Sequence, residues 1–206
     1  APRYKKNFLE EIFFGFIVVA FIVTFLHFFI NINYIISLSI LFFGLIYFVK
    51  TNKENLLKIN YINWIVFFIL IPIFLSQKYH EDFGYYHLPY ILLMVEQKII
   101  FGLANSNIAF SHNSIWLNIM SLFYLTKSNI NYLTMPTFLI YLVYVIYFIK
   151  KNLESNKKSI SEYFILISLF YLILKFTRLS EFGNDLPSLL FSILSIFYFI
   201  KFSEIN

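Results

Sequence analysis

Two short clusters of ionisable residues interrupt an otherwise apolar chain. The first reads Lys78-Tyr79-His80-Glu81-Asp82-Phe83-Gly84-Tyr85-Tyr86-His87-Leu88-Pro89. Its adjacent carboxylates offer two chemistries. A carboxylate can accept the proton of a hydroxyl nucleophile, or hold a hard divalent cation that in turn holds a phosphate. Neighbouring residues point in different directions, so Glu81 and Asp82 are not expected to share one role. His80 and His87 lie seven apart, but Gly84 and Pro89 argue against one continuous helix between them. The HExxH spacing of a zinc helix is absent. An imidazole that donates a hydrogen bond to a phosphate fits the pattern better.

The second cluster is Lys175-Phe176-Thr177-Arg178-Leu179-Ser180-Glu181-Phe182-Gly183-Asn184-Asp185-Leu186-Pro187. Arg178 can grip phosphate oxygens through two parallel N–H bonds, which lysine does less well. Glu181 stands three residues on, where a local ion pair with Arg178 is the plain structural reading. Gly183 and Asn184 favour a turn. Asp185 can cap a following helix, with Pro187 in its first turn.

The elements that must position these clusters are membrane helices. The 206 residues are 60% hydrophobic and 13% charged, with 28 Phe and 16 Tyr, beyond what a soluble domain carries. An all-α polytopic membrane protein is expected, as a single transmembrane domain. Apolar segments fall at about 11–30, 34–49, 61–75, 113–125, 132–149, 162–176 and 187–200. The fourth is short and carries Asn118 and Ser121, so it reads as interfacial or re-entrant rather than spanning. Ionisable residues at such a boundary are functional candidates. His27, inside the first segment, reads as a packed side chain. With no cysteine there is no disulfide or thiolate chemistry. The basic residues flank apolar segments rather than forming a patch, which argues against nucleic acid. No cleavable signal peptide is evident. A chain that opens on Ala1 and stops soon after an apolar segment is expected to be part of a longer protein.

The positive-inside rule orders the segments. If 113–125 does not span, one side holds Arg3, Lys5, Lys6, Lys50, Lys53, Lys58, Lys150, Lys151, Lys157, Lys158 and Lys201, eleven of the sixteen basic residues. If it does span, the bias nearly vanishes. The expectation is therefore six spans with both termini cytoplasmic, and one extracytoplasmic loop over 76–131. The 177–186 segment then lies on the same side, and the two polar clusters face each other. Within the loop, Pro89 suits the first turn of a helix. Ile91, Leu92, Val95 and Ile99 continue at helical spacing, ending near Gly102. This predicts an amphipathic helix on the membrane surface, followed by a second interfacial helix over 113–125 with Trp116 as its anchor.

The order of span, acidic motif, interfacial helices and further span resembles the GT-C class of membrane glycosyltransferases, which includes the protein mannosyltransferases (glycosyltransferase family 39) and the aminoarabinose transferases. The likeness rests on His80 to Tyr90, on Ile99-Ile100-Phe101-Gly102-Leu103-Ala104-Asn105, on Asn113-Ser114-Ile115-Trp116 and on Ser180 to Pro187. The latter runs also resemble a group of bacterial multi-span proteins called glycosyltransferase-like. Three spans precede the acidic loop here, where the class has one, and the chain is shorter than typical members.

The resemblance implies transfer of a sugar from a polyprenyl-phosphate donor to a glycan or lipid acceptor, outside the inner (plasma) membrane, in cell-envelope synthesis. Asp82 or Glu81 would be the base, with Mg or Mn as a possible metal at either. His80, His87, Tyr86, Asn113, Trp116, Arg178, Glu181, Asn184 and Asp185 would bind substrate. The competing expectations are a transporter or flippase for a lipid-linked or anionic solute, and a non-catalytic membrane subunit whose clusters merely pair with each other.

Overall fold

The computed structural model describes residues 8–56, 60–111, 114–125, 130–154 and 159–205. The described chain is helical, without a named strand. Eight α-helices occur among these residues: α1 Phe8–His27, α2 Tyr34–Leu56, α3 Tyr61–Leu75, α4 Leu88–Glu96, α5 Ile115–Ser121, α6 Met135–Glu154, α7 Ile160–Leu174 and α8 Asp185–Ile205. Of these, α1, α2, α6 and α8 are long and apolar enough to cross a membrane. Helices α3 and α7 are equally apolar but have 15 residues each, about 22 Å of rise against a hydrocarbon core of about 30 Å.

Helix α6 is the centre of the bundle. It packs against α1, α3, α5, α7 and α8, and its Ile140, Tyr144, Tyr147 and Phe148 are fully buried. Between helices in lipid, apolar burial drives little, because lipid tails are as apolar as leucine. Close packing and interhelical hydrogen bonds take over. Tyr141 donates from α6 to the Leu172 carbonyl of α7 at 3.1 Å. Tyr147 donates to Glu10 of α1 at 2.8 Å. Helix α7 starts on a capping box of Ser159 and Glu162. Glu204 of α8 accepts from both the backbone and the hydroxyl of Ser161, at 3.0 and 2.7 Å. Helix α2, by contrast, exposes almost its whole surface, including Phe42, Phe43, Leu45 and Tyr47.

The 113–125 segment departs from the surface helix expected of it. Helix α5 has seven residues, about 10 Å of rise, and it is not laid on a surface. Trp116 to Ser121 are all buried, packed against α1 and α4. Its polar side chains bond inwards: Trp116 Nε1 donates to Thr137 Oγ1 at 3.1 Å and Asn118 Nδ2 to Thr24 Oγ1 at 2.7 Å, while Asn118 Oδ1 is buried without a partner among the described residues. The apolar character that suggested an interface reflects a protein core instead. The preceding helix also ends earlier than its periodicity suggests. Helix α4 stops at Glu96, with Gln97 extended. Gly102, at φ 77°, opens a separate short 3₁₀ turn over Leu103–Asn105. His27 ends α1, 5% exposed, with its Nε2 3.2 Å from the Gln97 carbonyl oxygen.

Candidate functional site

Lys78 to Phe83 follows the end of α3, and Phe176 to Asn184 joins α7 to α8. Three kinds of contact bind these segments together. The Lys78 amide donates to the Ser180 carbonyl at 2.8 Å, within an isolated parallel bridge between Lys78 and Glu181. Phe182 sits against Phe83 with centroids 4.1 Å apart, and Tyr79 stacks on it at 5.1 Å and 15°. Glu181 then joins the charges: its carboxylate lies 3.2 Å from Lys78 Nζ and 2.7 Å from Arg178 Nη1. Aromatic packing supplies area and orientation. The doubly bonded carboxylate fixes register.

Helix geometry does the rest. Glu81 and Asp82 open a helical stretch that passes through a π-helical turn, Phe83–His87, directly into α4. Gly84 and Pro89 therefore do not break the helix between the two histidines. Pro89 sits in the first turn of α4, where its missing N–H costs nothing. A π turn inserts one residue into the helical ladder and re-aims the side chains around it, and such turns concentrate at functional sites. Here it buries Phe83 and His87 on one face and leaves Tyr85 exposed on the other.

The result is a cleft of about 240 Å³ lined by His80, Asp82, Tyr86 and His87 from one segment and by Arg178 and Glu181 to Leu186 from the other. Asp82 is half exposed, with its carboxylate 3.4 Å from His80 Nδ1. Arg178 reaches Asp185 at 3.8 Å as well as Glu181. Asp185 is the first residue of α8 and is largely exposed.

His87 forms the floor. It is 5% exposed, and its Nδ1 is buried without a hydrogen-bond partner. Burial holds the imidazole below its ordinary range, and Asp82, the nearby Phe182 backbone and Asp185 only partly oppose this. The ring is therefore neutral at pH 7. Burial, then the charges of Asp82 and Asp185, push the Tyr86 phenol upward. Glu181 shows the opposite balance. Burial raises its carboxyl, but the hydrogen bonds and charges of Lys78 and Arg178 outweigh that and hold it below the usual range.

One family model, described as a domain of unknown function (DUF8201), matches residues 2–206. The chain belongs to the DUF8201 family. No curated protein and no solved structure matches it.

In this DUF8201 chain, the cleft gathers eight of the eleven side chains singled out in sequence: Asp82, His80, His87, Tyr86, Arg178, Glu181, Asn184 and Asp185. Glu81 is exposed and does not line it. Trp116 is a correction, because it is 4% exposed in the core between α5 and α6 and held by Thr137, so it is neither an interface anchor nor a wall of the cleft. Asn113, with His112 and Lys127, lies outside the described residues. Among the described residues, no three His, Asp or Glu side chains converge as metal ligands. Sequence reasoning passed over Phe83 and Phe182 and read Gly183 only as a turn residue. Phe83 and Phe182 clamp the two walls together. Gly183, whose missing Cβ would stand 3.4 Å from His87 Cε1, keeps that ring edge uncovered. Two Phe-Gly pairs at matching places in the clusters were the available signal.

Proposed function

We propose that this protein is a transferase of GT-C type, acting at the outer boundary of the inner membrane on a lipid-linked sugar phosphate. The observation that carries the reading is the meeting of Asp82 and Arg178 across one open cleft at the end of a bundle of apolar helices. Asp82 is the carboxylate of the cleft that pairs with neither Lys78 nor Arg178, and the group placed to take a proton from an acceptor hydroxyl. A base in that role is worth 10²- to 10⁴-fold in rate, as an order of magnitude. Arg178 faces the departing phosphate, where fixed positive charge stabilises developing negative charge. Its Nη1 is held by Glu181, and its other N–H groups have no protein partner among the described residues. The apolar helix surfaces beside the cleft suit the polyprenyl chain.

The proposed arrangement has six spans, with α3 and α7 as short ones, and puts both termini in the cytoplasm. The clusters then face the periplasmic or external side. Eleven of sixteen basic residues on the other side support this orientation.

The test is transfer from a radiolabelled polyprenyl-phosphate sugar by protein reconstituted in vesicles. Asp82→Asn is expected to lose at least 10²-fold in rate. Glu81→Gln, outside the cleft, is expected to stay within about two-fold. Full transfer by Asp82→Asn sinks the reading. One observation favours a non-catalytic subunit, namely the Lys78–Glu181–Arg178 chain of ion pairs, which is what clusters built only to hold each other would show. Asp82 takes no part in that chain, and this is why the transferase is preferred.

A further inference from the structure

The segment from Ile99 to Ser111 carries no ionisable side chain, although it belongs to a loop rather than to a long helix. It folds as two short 3₁₀ turns, Leu103–Asn105 and Ile108–Ser111, which pack on each other. Its apolar side chains do not all turn inward. Phe101 is 80% exposed and Ile108 74%, more than any side chain of α1, and Ile100 is exposed as well. Apolar side chains exposed together on a loop mark a surface that something apolar covers.

Three contacts fix where this segment sits. The Ile99 amide donates to the His27 carbonyl at 3.0 Å, His27 Nε2 lies 3.2 Å from the Gln97 carbonyl oxygen, and the Phe101 ring stands 6.4 Å from that of Phe28. His27 is the last residue of α1, whose apolar stretch Glu10–His27 has 18 residues. That is about 27 Å of rise against a hydrocarbon core of about 30 Å. A helix of that length that crosses the membrane ends at its boundary, and the segment is bonded to that end. Phe25 in the last turn of α1 and Phe29 just past it are both exposed, with rings 5.2 Å apart. Phe101 extends this outward apolar surface through Phe28. The continuity selects lipid, rather than a second protein, as what covers the loop.

We propose that the 99–108 segment is a lipid-contacting element, with Ile100, Phe101 and Ile108 inserted where acyl chains meet head groups. The backbone stays at head-group level, because unpaired peptide groups do not enter hydrocarbon. The side chains reach the about 5–10 Å of depth typical of interfacial elements. Part of the backbone is paired within the turns: the Asn105 amide donates to the Gly102 carbonyl at 2.9 Å and the Phe110 amide to the Asn107 carbonyl at 3.0 Å. Lys98, exposed at the start of the segment, suits the same depth, with its stem along apolar surface and its ammonium among the phosphates. Asn105 and Ser106, exposed and polar, face the water. The role expected of a surface helix thus falls to a loop. The contact depends on α1 crossing the membrane, and on neither the reaction at the cleft nor the direction of insertion.

The chain has no cysteine, so a nitroxide label can be attached singly at Phe101→Cys, Ile108→Cys, Ser106→Cys or Phe21→Cys. Each labelled full chain is placed alone in a phosphatidylcholine nanodisc. Phe21, exposed within α1, is the hydrocarbon reference, and Ser106 is the aqueous one. Label collisions are measured with oxygen, which concentrates in lipid, and with a neutral nickel chelate, which stays in water. The ratio of oxygen to nickel collisions at Phe101 and at Ile108 is expected to exceed that at Ser106 several-fold and to fall below that at Phe21. Both sites are surface positions whose substitution leaves the core in place, and circular dichroism checks helicity. Each position decides by itself, so the loss of one variant leaves the other. A ratio at either position no higher than that at Ser106 puts the segment in water and overturns the contact. A label that neither reagent reaches means that protein covers the patch, and overturns it too.

Discussion

Glu181 shows how one carboxylate can hold a site together without acting in it. Its side chain is 12% exposed and bonds Lys78 and Arg178 at once, so its removal leaves Lys78 without its anion and Arg178 with the longer contact to Asp185 alone. Glu181→Gln is expected to cost about 2 kcal/mol, since hydrogen bonds to charged groups are worth roughly 1.5–3. Lys78→Met should cost under about 1 kcal/mol, because the lysine is 62% exposed. Thermal unfolding midpoints in detergent measure both. The carboxyl of Glu181 titrates below its ordinary 4.5 in the folded protein. The unfolded chain therefore takes up the proton first on acidification, and the stability Glu181 contributes is present above about pH 4.5 and lost as pH falls through its lowered value. Glu181→Gln should flatten that acid limb. His87 obeys the same sign at a higher pH. Its ring is held below 6.5, so stability should decline as pH falls from 6.5 towards the lowered value. The titratable groups that face it are Asp82, Asp185, Tyr86 and His80. His87→Gln should flatten that decline. In sequence, residue types alone could mark Asp82 and Glu81 as equals. Which of them faces the cleft depends on the helical phase set by the π turn, and no periodicity of the sequence encodes that phase.

Helix phase is also where single elements can be tested. Gly84 lies in the π turn with nothing within 4 Å of the place a Cβ would take, whereas Gly102 has φ +77° and Asn105 Nδ2 at 3.2 Å from that place. Gly84→Ala should therefore stabilise by about 0.5–1 kcal/mol, through helix propensity and a less free unfolded chain. Gly102→Ala should destabilise by about 1–2 kcal/mol, the cost of a left-handed backbone in a residue with a Cβ. Equal effects on the melting midpoint would mean that the continuous 81–96 helix is misassigned. Six of the apolar segments read from the sequence overlap α1, α2, α3, α6, α7 and α8, with ends that differ by up to seven residues, because a run of apolar side chains leaves the backbone no other way to satisfy its hydrogen bonds in lipid. Helix α5 was misread for the complementary reason. Seven apolar and small polar residues look the same whether water, lipid or protein surrounds them. Only the partners Thr24 and Thr137, 94 and 21 positions away, decide that Asn118 and Trp116 are interior.

At the scale of the whole molecule, the two polar clusters belong to loops nearly a hundred residues apart, yet they share one cleft. Loops that meet must lie at the same end of the bundle. This requires an even number of crossings between Asp82 and Arg178, which α6 and α7 would supply on the proposed six-span arrangement if α5 does not span. A seven-residue helix is about 10 Å long and cannot. The charge count reached the same pairing from a different physical cause, the retention of lysine and arginine on one side during insertion. What the count adds to the geometry is direction, and the absence of cysteine makes direction easy to measure. Single cysteines can be placed at exposed positions without a background. On the proposed six-span topology, Tyr85→Cys and Ser106→Cys should react with an impermeant maleimide on intact cells. Thr51→Cys and Ser203→Cys should react only after permeabilisation. Seven crossings would make Ser203→Cys reactive from outside, on the same side as Tyr85→Cys. A reversed six-span bundle would exchange all four outcomes together. The second result would leave the cleft intact but turn it to the cytoplasm, where soluble nucleotide sugars are at hand and a lipid-linked donor is no longer required. The labelling pattern therefore decides which class of donor the Asp82–Arg178 cleft can meet.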